Sequence, residues 1–184
     1  MAFKIDTFVS HLKQGGALGS LFECSVDKPL GLGKEATAAE FKFLCKEAVL
    51  PASTIEAGTV TYMGRALQIP GNRAAQQLNT TVYNDEDMAI RNNIESWMDM
   101  INSNKGNSRA NKMSQINSYT GTLTVKQLSK EAAGEESSAV KTYTFHDCWP
   151  SSCAEVPLSW ETNEIQTFAV TWEYNYWLSD KGVS

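Results

Sequence analysis

His146, Cys148 and Cys153 form the densest cluster of reactive side chains in this 184-residue chain. They lie in the run His146-Asp-Cys148-Trp-Pro-Ser-Ser-Cys153, while His11, Cys24 and Cys45 are far away along the chain. On a regular strand, residues two apart share a face, so the His146 imidazole could draw the proton from Cys148 and make a nucleophilic thiolate. Thiolates with an imidazole are also zinc ligands. Neither arrangement is completed. Zinc sites use closely spaced Cys pairs and four ligands, and the fourth here would have to be Cys24, Cys45 or His11. The thiol–imidazole pair lacks an orienting or oxyanion partner. No Gly-x-Ser-x-Gly elbow, phosphate-cradling glycine loop or His-Glu-x-x-His occurs. The expectation is a protein with no catalytic residues, no cofactor and no metal, whose cysteines are reduced structural thiols.

The elements that carry these residues read mostly as strands. From Asn163 to Trp177, Phe168, Val170, Trp172, Tyr174 and Tyr176 alternate with Thr167, Thr171, Glu173 and Asn175. That is the period of a long strand with one buried and one wet face. Trp172 falls on the buried face, which favours core packing over a ligand surface made by Trp160, Trp172 and Trp177. Further strands are expected over 21–26, 40–48, 78–83, 120–128 and 140–145, with a hairpin turning at Gly64 and closed by Pro70-Gly71-Asn72. The segment from Trp149-Pro150 to Pro157-Leu158 reads as a connection to the last strand. One helix is expected, over 85–104. Ile90, Ile94, Trp97, Met98 and Ile101 make an apolar stripe, Asn84 is placed to cap, and Asp85, Glu86 and Asp87 favour the positive end of the dipole. The Asn-rich stretch 102–118 and the segments 27–33 and 130–138 read as loops.

Size and charge limit the functional classes. With 42% apolar residues, the chain can bury one ordinary core, so residues 1–184 are expected to be a single domain with 1–20 as an N-terminal arm (Phe3, Phe8, Val9, Leu12). No apolar run approaches the ~18–20 residues needed to span a bilayer, and the start lacks a secretory apolar core, so a cytosolic product is expected. A net charge of −5 and a pI near 5.1 argue against an adhesive nucleic-acid binder.

Several local strings, in order, resemble the tail tube proteins of contractile-tailed bacteriophages. They are Leu21-Phe22, Phe41-x-Phe43-x-Cys45 with Leu50-Pro51, Met63-Gly-Arg65 with Ile69-Pro-Gly71, and Thr81-Val82-x-Asn84-Asp85-Glu86 before the helix with Trp97. They continue with Trp149-Pro150, Leu158-Ser-Trp160, and Asn163-Glu-Ile-Gln-Thr-Phe168 leading to Tyr176-Trp177. The resemblance implies a mainly β, sandwich- or barrel-like antiparallel domain with one flanking helix. It implies hexameric rings stacked into a tube within a sheath, meeting baseplate and tail terminator proteins. DNA and a tape measure protein would pass through the bore without specific binding. The location implied is the virion, and the host cytoplasm during assembly. Similar tubes serve type VI secretion and other injection machines, so protein cargo is the alternative. Ring contacts are expected from the arm, the 53–70 hairpin and the 102–118 loop, since exposed loops are free to bridge copies. The segments Asp27–Ala39 and Lys130–Ser138, and Cys148 and Cys153, depart from the family pattern.

Overall fold

The computed structural model describes residues 5–12, 15–27, 38–74, 76–109, 115–130, 139–161 and 163–180. Helix α1 (Ile5–His11) precedes β1 (Phe22–Asp27), α2 (Ala38–Leu44) and β2 (Cys45–Ala48). Then come β3 (Thr54–Tyr62), β4 (Arg65–Ala74), β5 (Leu78–Tyr83) and α3 (Ala89–Ile101). The chain finishes with β6 (Gly121–Leu128), β7 (Ala139–Cys153), β8 (Thr167–Glu173) and β9 (Tyr176–Ser179). The mainly antiparallel β architecture expected from the sequence is present.

Seven strands form one hydrogen-bonded system in the order β1-β6-β7-β8-β5-β2, with β9 also on β7. The long strand β7 joins its two halves. Its first part pairs with β6, and Tyr143–His146 also pairs with β9, whereas Trp149–Cys153 pairs with β8. Between them Asp147 adopts φ 57°, a left-handed conformation that Asp tolerates better than most residues. The Asn175 amide Nδ2 donates to its carboxylate at 3.0 Å, and the Asn175 backbone N–H donates to the His146 carbonyl at 3.2 Å. This corner lets one strand serve two layers, as in packed-sheet folds where strands bend from one sheet to the other.

The core lies inside that bend. Phe168, Val170 and Trp172 of β8 are buried, as their alternation requires. Trp172 meets Phe41 of α2 edge-on at 6.2 Å and Trp97 of α3 at 5.7 Å. Ile90, Ile94 and Trp97 form the buried stripe of α3, and the Trp97 indole N–H donates to the Tyr119 carbonyl at 2.6 Å. Glu23 on β1 meets Lys42 of α2 at 3.0 Å and Lys126 of β6 at 3.6 Å, linking three elements at the surface.

Five expectations are corrected. Residues 40–48 are not one strand: α2 runs to Leu44, which separates buried Phe41 from Phe43, 79% exposed, so there is more than the single expected helix. The helix expected over 85–104 spans Ala89–Ile101, with Met88 at φ 51° before it and no side-chain cap bond from that residue. Asn84 is tied to Gln166 instead, and Asp85 Oδ1 accepts the Ala89 N–H at 3.1 Å. The hairpin does not close at Pro70-Gly71-Asn72, because β4 continues to Ala74 through a bulge. The connection expected from Trp149 is the second half of β7. The last strand breaks at Tyr174-Asn175, so Tyr176 is half exposed and its neighbour is β7. Residues 28–33 and 131–138 of the expected loops 27–33 and 130–138 lie outside the described residues.

Candidate assembly surfaces

The potential chemistry of the His146–Cys148 pair depends on an unbroken strand, and the Asp147 corner removes it. The His146 ring stacks on Tyr176 with centroids 4.7 Å apart and planes at 17°. The Cys148 thiol is buried and aimed at the Leu123 backbone. Burial pushes its pKa up to about 12, so it is a thiol and not a thiolate at neutral pH. Cys153 is also pushed up by burial. Cys24 and Cys45, far apart in sequence, meet across β1 and the start of β2. Cys24 is held well up, first by its hydrogen bond to Cys45 and then by burial, whereas Cys45 is lowered as the acceptor of that bond. Among the described residues no group of three or more His, Cys, Asp or Glu side chains is arranged to hold a metal.

The β3–β4 hairpin has a different character. Its two-residue turn, Met63-Gly64, has φ of 48° and 79°, which suits the right-handed twist of the flanking strands. The register pairs Gly58 with Ile69, Val60 with Leu67 and Tyr62 with Arg65 on one face. Thr59 and Gln68 pair on the other, where they share a 3.0 Å hydrogen bond. The first face therefore carries Val60, Tyr62, Leu67 and Ile69, all exposed, with Met63 at the tip 90% exposed. No other element makes an extensive contact with either strand among the described residues. A lone two-stranded hairpin is marginal in water, so an amphipathic hairpin this long needs a cover on its apolar face.

A second uncovered region follows β7. Residues 156–160 and 164–167 wall a groove of about 590 Å³, with Leu158, Trp160 and Ile165 exposed along it and Glu164 in its wall. Alternation gave no warning of this surface, because the segment has no strand period; only its large side chains between prolines and polar residues marked it. The arm expected at the N-terminus is present in part as α1, whose Ile5, Phe8 and Val9 are exposed, as is Leu12 just after it. In the expected 102–118 loop, Asn102 and Arg109 form an isolated bridge and Ile116 is exposed, while 110–114 lie outside the described residues. Of the three tryptophans weighed as a ligand surface, Trp172 is core, Trp177 packs on Tyr143 at 5.7 Å, and Trp160 is fully exposed.

Comparison with known proteins gives a consistent result. Residues 17–180 match the family model described as phage tail tube protein. The tail tube protein gp19 of Enterobacteria phage T4 is 30% identical over 138 residues, which cover 74% of this chain and 80% of that protein. The same figures hold for the tail tube protein gp19 of Enterobacteria phage T6. In fold, the chain is similar to the anti-feeding prophage cap, with a TM-score of 0.63 at 12% identity, covering 90% of this chain and 91% of that one. It is also similar to a chain of the extended sheath–tube complex of an extracellular contractile injection system, at TM-score 0.61 and 11% identity, covering 97% and 99%.

Proposed function

The chain belongs to the phage tail tube protein family, and from that premise we propose that it assembles as stacked hexameric rings into the inner tube of a contractile tail, the conduit for DNA during ejection. The observation that carries the self-assembly is the uncovered apolar face of the β3–β4 hairpin. A single chain leaves that face in water, and a neighbouring copy would bury it. The role is structural and not enzymatic. That reading is supported by the family and by the burial that keeps the Cys148 thiol protonated.

The partners proposed are a sheath, a tail terminator, a baseplate, and a tape measure protein passing with DNA through the lumen. Support for the first three comes from fold neighbours described as a tube terminating cap, a sheath–tube complex and a baseplate. The location proposed is the tail of the virion, with assembly in the host cytoplasm. A tube for an injection apparatus with protein cargo shares this fold, but the relatives at 30% identity are phage tail tube proteins, which favours DNA. The net charge of −5, repeated around a bore, would give a wall that repels a polyanion and lets it slide. Lysine at three or four lumen-facing acids is expected to slow genome ejection, and unchanged ejection kinetics would count against the repulsive wall.

The assembly reading is tested by negative-stain electron microscopy of the purified protein with light scattering for mass. Hexamer-sized rings or tubes are expected, alone or after adding sheath and baseplate proteins. A monomer that persists with those partners present would overturn it.

A further inference from the structure

We propose that Cys24 and Cys45 are a redox clip: a hydroperoxide oxidises Cys45, and Cys24 then closes a disulfide that ties the two end strands of the sheet together. The chemistry belongs to the single chain and stands whether or not the tube reading does.

Place in the fold carries the choice of residues. In the order β1-β6-β7-β8-β5-β2, the two ends among the described residues are β1 and β2, each hydrogen-bonded to one neighbour. The bend of the sheet brings these ends into contact without a backbone ladder between them, so side chains hold the seam. Cys24 of β1 is buried there, and its thiol donates to the sulfur of Cys45, the first residue of β2. The Cys45 thiol passes its own hydrogen to the Glu47 carbonyl at 3.4 Å, which leaves a sulfur lone pair for Cys24. Glu23, next to Cys24, meets Lys42, one turn before Cys45, at 3.0 Å. That ion pair fixes α2 on β1 and keeps the two sulfurs opposite each other. The register of β2 on β5 shifts between Cys45 and Glu47, so the backbone at Cys45 has room to yield as the sulfur contact shortens to a bond.

Reactivity is divided between the two thiols. Cys45 is half-buried, and the bond from Cys24 lowers its pKa, so it meets solvent oxidants as the thiolate. Cys24 is sealed and held well up, first by that bond and then by burial, and serves as the resolving thiol. The Cys45 thiolate attacks one peroxide oxygen, the O–O bond breaks, and hydroxide or alkoxide leaves, giving the sulfenic acid of Cys45. The Cys24 sulfur then attacks the Cys45 sulfur, the S–O bond breaks, and the oxygen leaves as water with the Cys24 proton. Overall, two thiols and one hydroperoxide give a disulfide, a water and an alcohol, or a second water where the oxidant is hydrogen peroxide. Cys148 also faces Cys24, but it hydrogen-bonds the Leu123 backbone and burial holds its proton, so it does not compete.

The test treats the full chain with hydrogen peroxide at neutral pH and maps its peptides by mass spectrometry without reductant. The expected product is a peptide pair joined through Cys24 and Cys45, two hydrogens lighter than the reduced pair and separated by dithiothreitol. The disulfide closes residues 25–44 into a loop, so Tm is expected to rise by roughly 5–10 °C on oxidation and to fall back on reduction. With Cys24→Ala, dimedone is expected to label Cys45, whose sulfenic acid then has no resolving thiol. With Cys45→Ala, Cys24 is expected to stay unoxidised and Tm to stay constant. Should either variant fail to fold, the wild-type peptide map decides alone. A disulfide through Cys148 or Cys153, a link between copies, or Cys24 and Cys45 left free or separately oxidised would overturn the clip. None of these results bears on ring or tube formation, which electron microscopy tests separately.

Discussion

The Trp172 indole N–H donates to the Thr80 hydroxyl at 2.9 Å, a bond between two buried side chains on neighbouring strands β8 and β5. The register sets Leu78 opposite Trp172 and Thr80 opposite Val170, so the pair lies on the diagonal, within reach of a long aromatic side chain. The indole needs this partner because a buried N–H without one loses its hydration for nothing. One residue thus serves as both the centre of the aromatic core and a polar tie across the sheet.

Trp172→Ala is expected to cost ~3–5 kcal/mol, since it removes the ring that Phe41 and Trp97 pack against. For a chain of this length that is a fall in Tm of roughly 6–20 °C. Thr80→Val keeps the volume but orphans the indole N–H, so its cost is smaller, about 1–3 kcal/mol. A near wild-type melting curve for Trp172→Ala would contradict the burial assigned here.

Gly121→Ala is expected to destabilise the fold although it adds one methyl group. A Cβ at Gly121 would lie 2.2 Å from the Asp27 carbonyl oxygen and 2.8 Å from Trp97 Cη2. A carbonyl on a paired strand cannot swing aside as a side chain does, so β1 and α3 must both shift, at a cost of about 1–3 kcal/mol or more. Chemical denaturation reads the loss directly. Trimming Trp97 in the same chain should not restore stability, because the backbone contact remains.

Legibility followed periodicity. The α3 stripe was visible because Ile90, Ile94 and Trp97 repeat at helical spacing, and the buried side of β8 was visible in Phe168, Val170 and Trp172. The same rule misled at Phe41-x-Phe43-x-Cys45, which alternates like a strand, yet the α2 turn buries Phe41 and leaves Phe43 in water. The β7 corner left no sequence trace, since an Asp at φ 57° looks like any other Asp between two strand residues. Of the assembly surfaces, the hairpin was legible from Gly64 and alternation, although its length was not, because Pro70 and Gly71 read as an end when they mark a bulge. The groove was not legible. It is made by a segment without period, and its meaning depends on what the neighbouring copy presents.

Thiol reactivity should follow burial and not sequence proximity. Cys45 is part exposed and lowered by the bond from Cys24, so it should be alkylated first by iodoacetamide under native conditions. Cys24 and Cys148 should stay unmodified until unfolding. Alkaline pH tests the same groups. In the unfolded chain Cys148 would ionise near 9.0, but in the fold it holds its proton to about 12. The folded state therefore binds more protons in that window, and its contribution is complete below pH ~9 and lost as pH rises toward 12. The raised Cys24, Cys153 and Tyr174 act with the same sign. Denaturation midpoints are expected to fall across this range, and a midpoint that rose there would refute the assignment.

Val60→Ser with Leu67→Ser should separate folding from assembly. The two residues are opposite each other in register, 48% and 51% exposed, on a face that the rest of the chain leaves uncovered. Exposed substitutions away from the core usually change stability by no more than ~0.5 kcal/mol, so the Tm of the disassembled variant should match wild type within a few degrees. Assembly has no such tolerance, because each joined copy would set two hydroxyls where it needs apolar contact, and the penalty repeats at every interface. Light scattering of the variant should report a small species at concentrations where the wild type forms rings or tubes. A large drop in Tm would instead mean that the hairpin face packs within its own chain, and the surface assigned to a neighbour would belong to the core.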